Sequence, residues 1–311
     1  IRNCDWSSDV CSSDLGVYRA FGTMPHSNTL ALYTNMMNMI FLSFVLNDKG
    51  AARWERLVHW AALGMGSLIV LATFSRGALA VMVVSYGIIV ALSLWDRVRG
   101  MKVRTVAVMG LLALMVAIKV APSVIHRFQY APVESGESRN QANDAAIAMA
   151  NSSWLGIGLN NYSYSINETG FSRFVPSELD RGIVHNIYLL HAAEMGWLGL
   201  AVFILVILNF LWMAIRLIFR RLDNIVSWVA IGIFAGMTSL WVQSGLEWAF
   251  RQTYIAIEFF MLAGFLAALP RVLENIRREK RKKDRRNARF AMAMQARQRQ
   301  LAARTPAYSR S

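Results

Sequence analysis

Ile187-Tyr-Leu-Leu-His-Ala-Ala-Glu-Met-Gly-Trp-Leu-Gly-Leu-Ala-Val-Phe-Ile-Leu-Val-Ile-Leu-Asn-Phe-Leu-Trp-Met-Ala-Ile215 is a long apolar run whose only His, Asp, Glu, Lys or Arg residues are His191 and Glu194, both near its start. About 20 apolar residues in a helix cross the hydrocarbon core of a bilayer. Inside that core the backbone must pair with itself, which a helix does. The run therefore reads as a membrane-spanning helix. Working outward, comparable runs lie at about 27–46, 57–74, 78–95, 104–121, 225–246 and 252–269. Together they predict an all-α, polytopic transmembrane helix bundle with about seven spans. One long segment, 122–186, separates spans four and five.

The composition agrees once it is divided by position. The chain has 311 residues, 55% hydrophobic and 17% charged, with a net charge of +14, a mean hydropathy of +0.35 and a pI near 10.4. Such a pI on its own points to a nucleic-acid binder, but those are rarely so apolar. Residues 271–311 hold 14 Lys and Arg against 3 acids, a net +11, which leaves +3 for the first 270. Apolar body and basic tail are separate objects, as in membrane proteins with positive cytoplasmic segments. A disordered chain and a small disulfide scaffold are both excluded.

The ends need separate treatment. Residues 1–15, Ile-Arg-Asn-Cys-Asp-Trp-Ser-Ser-Asp-Val-Cys-Ser-Ser-Asp-Leu, contain a near repeat of Ser7–Val10 at Ser12–Leu15 and read as a non-native, adapter-like segment. Both cysteines, Cys4 and Cys11, lie within it, so cysteine usage says nothing of metal or compartment. The alternative is a polar loop closed by a disulfide. The division expected is 1–15, spans one to four in 16–121, the loop with short helices in 122–186, spans five to seven in 187–270, and the basic tail 271–311. The tail suits anionic lipid headgroups, worth about 1 kcal/mol per charge near the surface; a nucleic-acid partner is not expected.

Orientation follows from the loops. Lys49, Arg53 and Arg56 follow span one, Arg97, Arg99, Lys102 and Arg104 follow span three, and Arg216, Arg220 and Arg221 follow span five. These loops and the tail fall on one side, which the positive-inside bias makes cytoplasmic. The Ser75-Arg76-Gly77 turn, the 122–186 segment and the 247–251 turn then face outward, giving an external start and a cytoplasmic end. An odd span count with an external start, on a chain opening with Ile1, reads as a fragment lacking N-terminal spans.

Ionisable residues in or beside spans are costly, about 2.5–3.5 kcal/mol at mid-membrane. On the outer side they are Arg19, His26, Arg76, Arg139, His185, His191, Glu194, Glu247, Arg251 and Glu258. An outer-leaflet pocket of arginines and histidines suits a phosphate or pyrophosphate head carrying an apolar tail, because Arg binds oxyanions bidentately and stays charged. His185, in Val184-His-Asn-Ile-Tyr188 at the mouth of span five, has the residue type of a general base at neutral pH; helix capping by Asn186 with a bystander histidine is the plainer reading. Glu194 is expected to pair with His191 (i, i+3), and Glu258 with Arg251 (i, i+7). In Leu155-Gly-Ile-Gly-Leu-Asn-Asn-Tyr162 the two glycines permit a tight turn and a close backbone approach. No metal-ligand spacing and no nucleotide-binding pattern is present, so no cofactor is expected.

The order of these pieces resembles the O-antigen ligase family, which includes O-antigen polymerases and O-linked protein glycosylation ligases. The matching stretches are Arg19-Ala-Phe-Gly22 with Pro25-His-Ser-Asn28, Phe74-Ser-Arg-Gly77, Arg139 before a short helix, Trp154-Leu-Gly-Ile-Gly158 with Asn161-Tyr162, Val184-His-Asn186, and Glu194-Met-Gly196. The likeness covers about residues 16–270; the family is expected to have about a dozen spans. It implies a multi-pass protein of the bacterial inner membrane with its site facing the periplasm. It further implies transfer of a glycan from undecaprenyl pyrophosphate to a hydroxyl of lipid A–core, without metal or nucleotide. By the same resemblance Arg76 and Arg139 hold the pyrophosphate, Arg19 is a further phosphate contact, and His185 is the base or, alternatively, a phosphate-binding cation. An O-antigen polymerase or a protein O-glycosylation ligase shares this chemistry with a different acceptor. A lipid-linked glycan transporter, the alternative from another class, predicts midplane charges and repeated halves.

Overall fold

The computed structural model describes residues 19–48, 50–94, 134–176, 182–220 and 224–304. Among them there is helix and connection but no strand. The elements are α1 (Ser27–Asn47), α2 (Arg53–Ala72), α3 (Arg76–Leu94), α4 (Glu134–Ser152), α5 (Tyr162–Glu168), a 3₁₀ turn (Phe171–Phe174), α6 (Ile187–Ile218), α7 (Ile225–Gln243), a 3₁₀ turn (Ala249–Arg251) and α8 (Thr253–Arg304). Six of these helices, α1, α2, α3, α6, α7 and α8, are long and apolar enough to cross a bilayer. They account for six of the seven expected spans. The fourth, at 104–121, lies outside the described residues, as does the 1–15 segment.

Two compact units divide the chain, 1–266 and 267–311. In the first, α1 packs against α2, α3 and α7. Its core joins Ala31, Met39, Leu42 and Leu46 of α1 to Leu63, Val70, Met82, Ile89, Ile231 and Ala235. In lipid the hydrophobic effect does not draw helices together, so close approach and interhelical hydrogen bonds must do so. α1 supplies both. Asn35 donates to the Ala78 carbonyl at 3.1 Å, Asn38 exchanges hydrogen bonds with Ser67 and Tyr86, Ser43 donates to the Trp228 carbonyl at 2.7 Å, and Asn47 donates to Ser93 at 2.9 Å. On α7, Gly232 and Gly236 form the small-xxx-small pattern of close membrane helices. A methyl group on Gly232 would lie 2.7 Å from Ile40 Cα, and one on Gly236 2.8 Å from the Met36 carbonyl oxygen. Gly232→Ala is therefore expected to cost about 1–3 kcal/mol, the usual range for overpacking, read as a lower melting temperature in detergent. Gly87→Ala on α3, where a methyl group meets open space, is the matched control and should melt like the parent.

The expected span at 187–215 is present as one apolar helix, but it is broken near its start. Asn186 caps α6, accepting from Tyr188 N at 3.0 Å and Leu189 N at 3.2 Å. The helix then breaks at Gly196, with φ 71° and ψ 175°. His191 and Phe203, twelve residues apart, stack with ring centroids 4.0 Å apart; a straight helix would separate them by about 18 Å. The arm before the break joins α4, α5 and the first 3₁₀ turn in a second core of Ala142, Ala146, Met149, Tyr162, Ile166, Val184, Ile187 and Leu190. The arm after it, 197–218, measures about 33 Å and suffices by itself to cross the membrane core. Many of its side chains, Leu198, Val202, Leu205 and Leu208 among them, are exposed, as a lipid-facing helix requires.

Phe210, Trp241, Phe250, Phe259 and Phe260 form an edge-to-face and stacked aromatic group joining α6, α7 and the start of α8. The second unit, taken by itself, is helical through Arg304 and exposed for nearly its whole length, with Arg278–Glu274 and Lys282–Glu279 pairs along it. The unit boundary after Leu266 coincides with Pro270, whose missing N–H leaves the Leu266 carbonyl without its helical donor.

Candidate active site

The helices alternate in direction, so the start of α1, the α2–α3 turn, the start of α6 and the α7–α8 connection share one end of the first unit. Arg53, Arg56, Arg216 and Arg220 belong to the opposite end. At the shared end, Ala20 N donates to the Ala72 carbonyl at 3.0 Å and Arg19 Nε to the Thr73 carbonyl at 2.8 Å. The turn that presents this carbonyl is fixed by Thr73, whose hydroxyl donates to Val70 O at 2.6 Å, and by Phe74 at φ 48°. Arg19 also donates to Asn28 Oδ1 at 2.7 Å. Asn28 Nδ2 in turn donates to Glu247 Oε1. Ile187 N donates to the Ser244 carbonyl at 3.0 Å, tying the start of α6 to the end of α7. That tie sets His185 beside Glu247, Nδ1 to Oε2 at 3.5 Å, with the imidazole side chain 43% exposed and the carboxylate 5%. Trp248 meets the His185 ring edge-on, centroids 6.5 Å apart.

His26 caps α1 and lies in the same cluster. Its Nδ1 accepts from Asn28 N at 3.2 Å, which requires that nitrogen to be unprotonated. Burial holds its pKa below the ordinary 6.5; the Glu247 carboxylate opposes the shift, while the positive fields of Arg19, His185 and Arg139 add to it. Arg139, exposed on α4, thus acts on the same neighbour as Arg19 and His185. Arg76 is the first residue of α3 and half-buried. Its neighbour Gly77 faces Leu246, a methyl group there coming 3.4 Å from Cδ1. The geometry joins Arg19, Asn28, Glu247 and His185 by direct contacts, sets His26 and Arg139 within electrostatic reach of one another, and puts Arg76 at the same end.

A second feature supports the first. Gly196 leaves two carbonyls of the first arm of α6 without helical donors, and the Trp154–Gly158 loop supplies them. Ile157 N donates to Ala193 O at 2.9 Å and Gly158 N to Glu194 O at 3.0 Å. Gly156 has φ +75°, and a methyl group on it would fall 2.5–2.6 Å from backbone atoms of Ala193, Glu194 and Gly196. One on Gly196 would fall 2.0 Å from the Trp154 carbonyl oxygen. Trp197 Nε1 closes the contact on Asn151 Oδ1 at 2.9 Å. The glycines therefore serve a close backbone approach to a broken helix.

Two expected pairings are corrected. Glu194 does not pair with His191 but accepts from Arg251 at 3.1 Å and from Tyr162 N at 3.4 Å. The break at Gly196 draws His191 onto Phe203, where its Nδ1 lies 2.9 Å from the Ile187 carbonyl. With Arg251 engaged by Glu194, Glu258 does not receive it; its carboxylate is buried, with no hydrogen-bond partner among the described residues. Glu247 carried no assigned role in the sequence, and Asn28 appeared only inside a motif. The signal for Glu247 was its place among the outer-side ionisable residues; its partners lie 62 and 219 positions away along the chain, beyond the reach of spacing. Among the described residues no group of three or more His, Cys, Asp or Glu side chains converges as a metal site.

An accessible imidazole backed by a carboxylate, with guanidinium groups nearby, can deprotonate a hydroxyl beside a bound oxyanion. The family model for O-antigen ligase matches residues 61–204. Over that stretch the chain is similar to the O-antigen ligase family. A search of curated proteins finds no match to the chain. The matched O-antigen ligase stretch contains Arg76, Arg139, the Trp154–Gly158 loop, His185 and Gly196; Arg19, Asn28 and Glu247 lie outside it and reach the site through the fold. Together with six candidate spans, the O-antigen ligase match describes a multi-pass membrane protein of ligase or polymerase type, with a lipid-linked glycan as donor and a glycan acceptor.

Proposed function

We propose that this O-antigen ligase-type protein moves a glycan from undecaprenyl pyrophosphate to a hydroxyl of lipid A–core on the periplasmic face of the bacterial inner membrane. The observation that carries this reading is the exposed His185 imidazole sharing one end of the bundle with Arg19, Arg76 and Arg139. Positive-inside bias supports the orientation, because the opposite end carries Arg53, Arg56, Arg216 and Arg220. In the reaction the acceptor oxygen attacks the anomeric carbon as the bond to the pyrophosphate oxygen breaks. The electron pair leaves with undecaprenyl pyrophosphate, the hydroxyl proton passes to His185, and the configuration inverts. Arg139 and Arg76 neutralise charge building on the leaving group, a kind of stabilisation strongest where donors are fixed in advance, and Arg19 adds positive field. Cleavage of the glycosyl–pyrophosphate bond drives the reaction without nucleotide.

The test is reconstitution of the protein in phospholipid vesicles with lipid-linked glycan, lipid A–core and a chelator, and without nucleotide. Attachment of the glycan to lipid A–core is the expected result. Growth of the lipid-linked glycan instead would identify a polymerase. Loss of all transfer in chelator, restored by a divalent cation, would overturn the metal-independent mechanism.

A further inference from the structure

The contacts around His185 form a sequence of four side chains from three parts of the fold. Arg19, ahead of α1, donates to Asn28 Oδ1 at 2.7 Å; Asn28, in the first turn of α1, donates through Nδ2 to Glu247 Oε1; and Glu247, between α7 and α8, places Oε2 3.5 Å from His185 Nδ1. The two carboxylate oxygens are divided between the amide and the imidazole. A buried carboxylate is costly unless its oxygens are engaged, so the site retains it at a cost that a packing role alone does not require.

We propose that Glu247 is the positioning residue for His185, fixing which imidazole nitrogen carries the proton and which accepts one. The inference rests on His185 acting as base. The carboxylate faces Nδ1, so Nδ1–H points inward and the lone pair of Nε2 is the one presented outward. The two ring nitrogens are chemically distinct, and the partner of one decides the task of the other. When Nε2 takes the acceptor's proton, the imidazolium is held against a negative group. The Nδ1 proton stays on Nδ1. Glu247 is unsuited to be the base itself: its side chain is 5% exposed against 43% for His185, and both oxygens are engaged. Asn28, itself oriented by Arg19, completes the arrangement by holding the far oxygen, which resists rotation of the carboxylate away from the ring. Trp248, edge-on to the imidazole, limits rotation on another side.

The charged and titratable groups at this end are Arg19 ahead of α1, Arg139 from α4, and Glu247 and His185 themselves, whose fields all act on His26. Removing the Glu247 charge leaves His185 among cations and a neutral histidine. The imidazolium formed when Nε2 takes the proton then has no negative group against it, so transfer slows while donor binding is unchanged. A packing role would lower the folded fraction and leave the rate per folded molecule in place.

Glu247→Gln keeps shape and hydrogen-bonding reach while removing the charge. In the vesicle assay it is expected to lower kcat roughly 100-fold, the lower end of the span associated with general-base catalysis. KM for the lipid-linked donor should hold. Glu247→Asp retains the charge on a shorter arm. It is expected to recover part of the lost kcat, and it provides the comparison if the glutamine variant does not fold. Parent kcat in Glu247→Gln, or a folded Glu247→Asp as inactive as His185→Ala, would overturn the proposal. His185→Ala separates the two levels: if it still transfers at the parent's rate, the base assignment falls; if it is inactive while Glu247→Gln behaves like the parent, only the role of Glu247 falls.

Discussion

His185→Ala is expected to lower glycan transfer by about two to four orders of magnitude, the contribution typical of a positioned general base, with the melting temperature unchanged. The fold does not depend on this side chain. It is exposed, it precedes the Asn186 cap that starts α6, and the anchor to α7 is the Ile187 N–H on the Ser244 carbonyl. Glu247 would keep Asn28 as a partner in the variant. Substitution by lysine or arginine distinguishes the two tasks open to the histidine. If it holds phosphate as a cation, a permanent cation restores transfer; if it is the base, His185→Arg stays as inactive as alanine. Arg139→Ala provides the complementary result, a fall in transfer that Arg139→Lys restores only in part, because ammonium lacks the planar two-donor fork. The measurement is initial rate against donor concentration for each variant. Transfer at the parent's rate in His185→Ala would remove the mechanism.

The second large effect is structural. Gly196→Ala is expected to destabilise the protein by about 3 kcal/mol, the sum of left-handed backbone strain and overpacking at typical values, and transfer should fall with the folded fraction. At φ 71° an L side chain is strained wherever it points. Here its first carbon would also lie 2.0 Å from the Trp154 carbonyl oxygen, so either the loop lifts or the helix straightens. Both outcomes release the Ile157 and Gly158 donors from Ala193 and Glu194. Gly156→Ala should act in the same direction, since it meets the same junction from the loop side. Gly64→Ala on α2, where a methyl group finds nothing within 4 Å, should melt at the parent's temperature or slightly above, alanine being the better helix former. Melting of all three variants in one detergent makes the comparison, and a parent-like Gly196→Ala would show that the break is not required.

The spans were legible because each is a composition over about 20 residues, which no distant contact alters. Arg76, Arg139 and His185 stood out by type, arginine suiting oxyanions and histidine suiting proton transfer at neutral pH, and their roles belong to the proposal. What escaped is everything decided through space. Gly196 sits in an apolar run where glycine ordinarily serves close helix packing, and nothing local marks it as a break. The partner of Arg251 was sought one helical face away, at Glu258, whereas the bent first arm of α6 brings Glu194 to it. Glu247 was visible as an ionisable residue but not as a neighbour of Asn28 and His185, because chain separation hides contacts that the bundle creates. The glycines of Trp154–Gly158 promised a close approach; only the fold identifies what is approached.

The break in α6 has a mechanical consequence. A straight, continuous helix would behave as a lever, converting each change of tilt imposed by bilayer thickness into a displacement of His185 at its tip. In this protein the lever is cut. The arm that begins next to His185 is fastened to the Trp154–Gly158 loop and to the Ser244 carbonyl, while the arm beyond Gly196 is the one that meets lipid. Tilting of 197–218 is not carried rigidly past Gly196, and the position of the histidine follows the loop and the end of α7 to which its own arm is fastened.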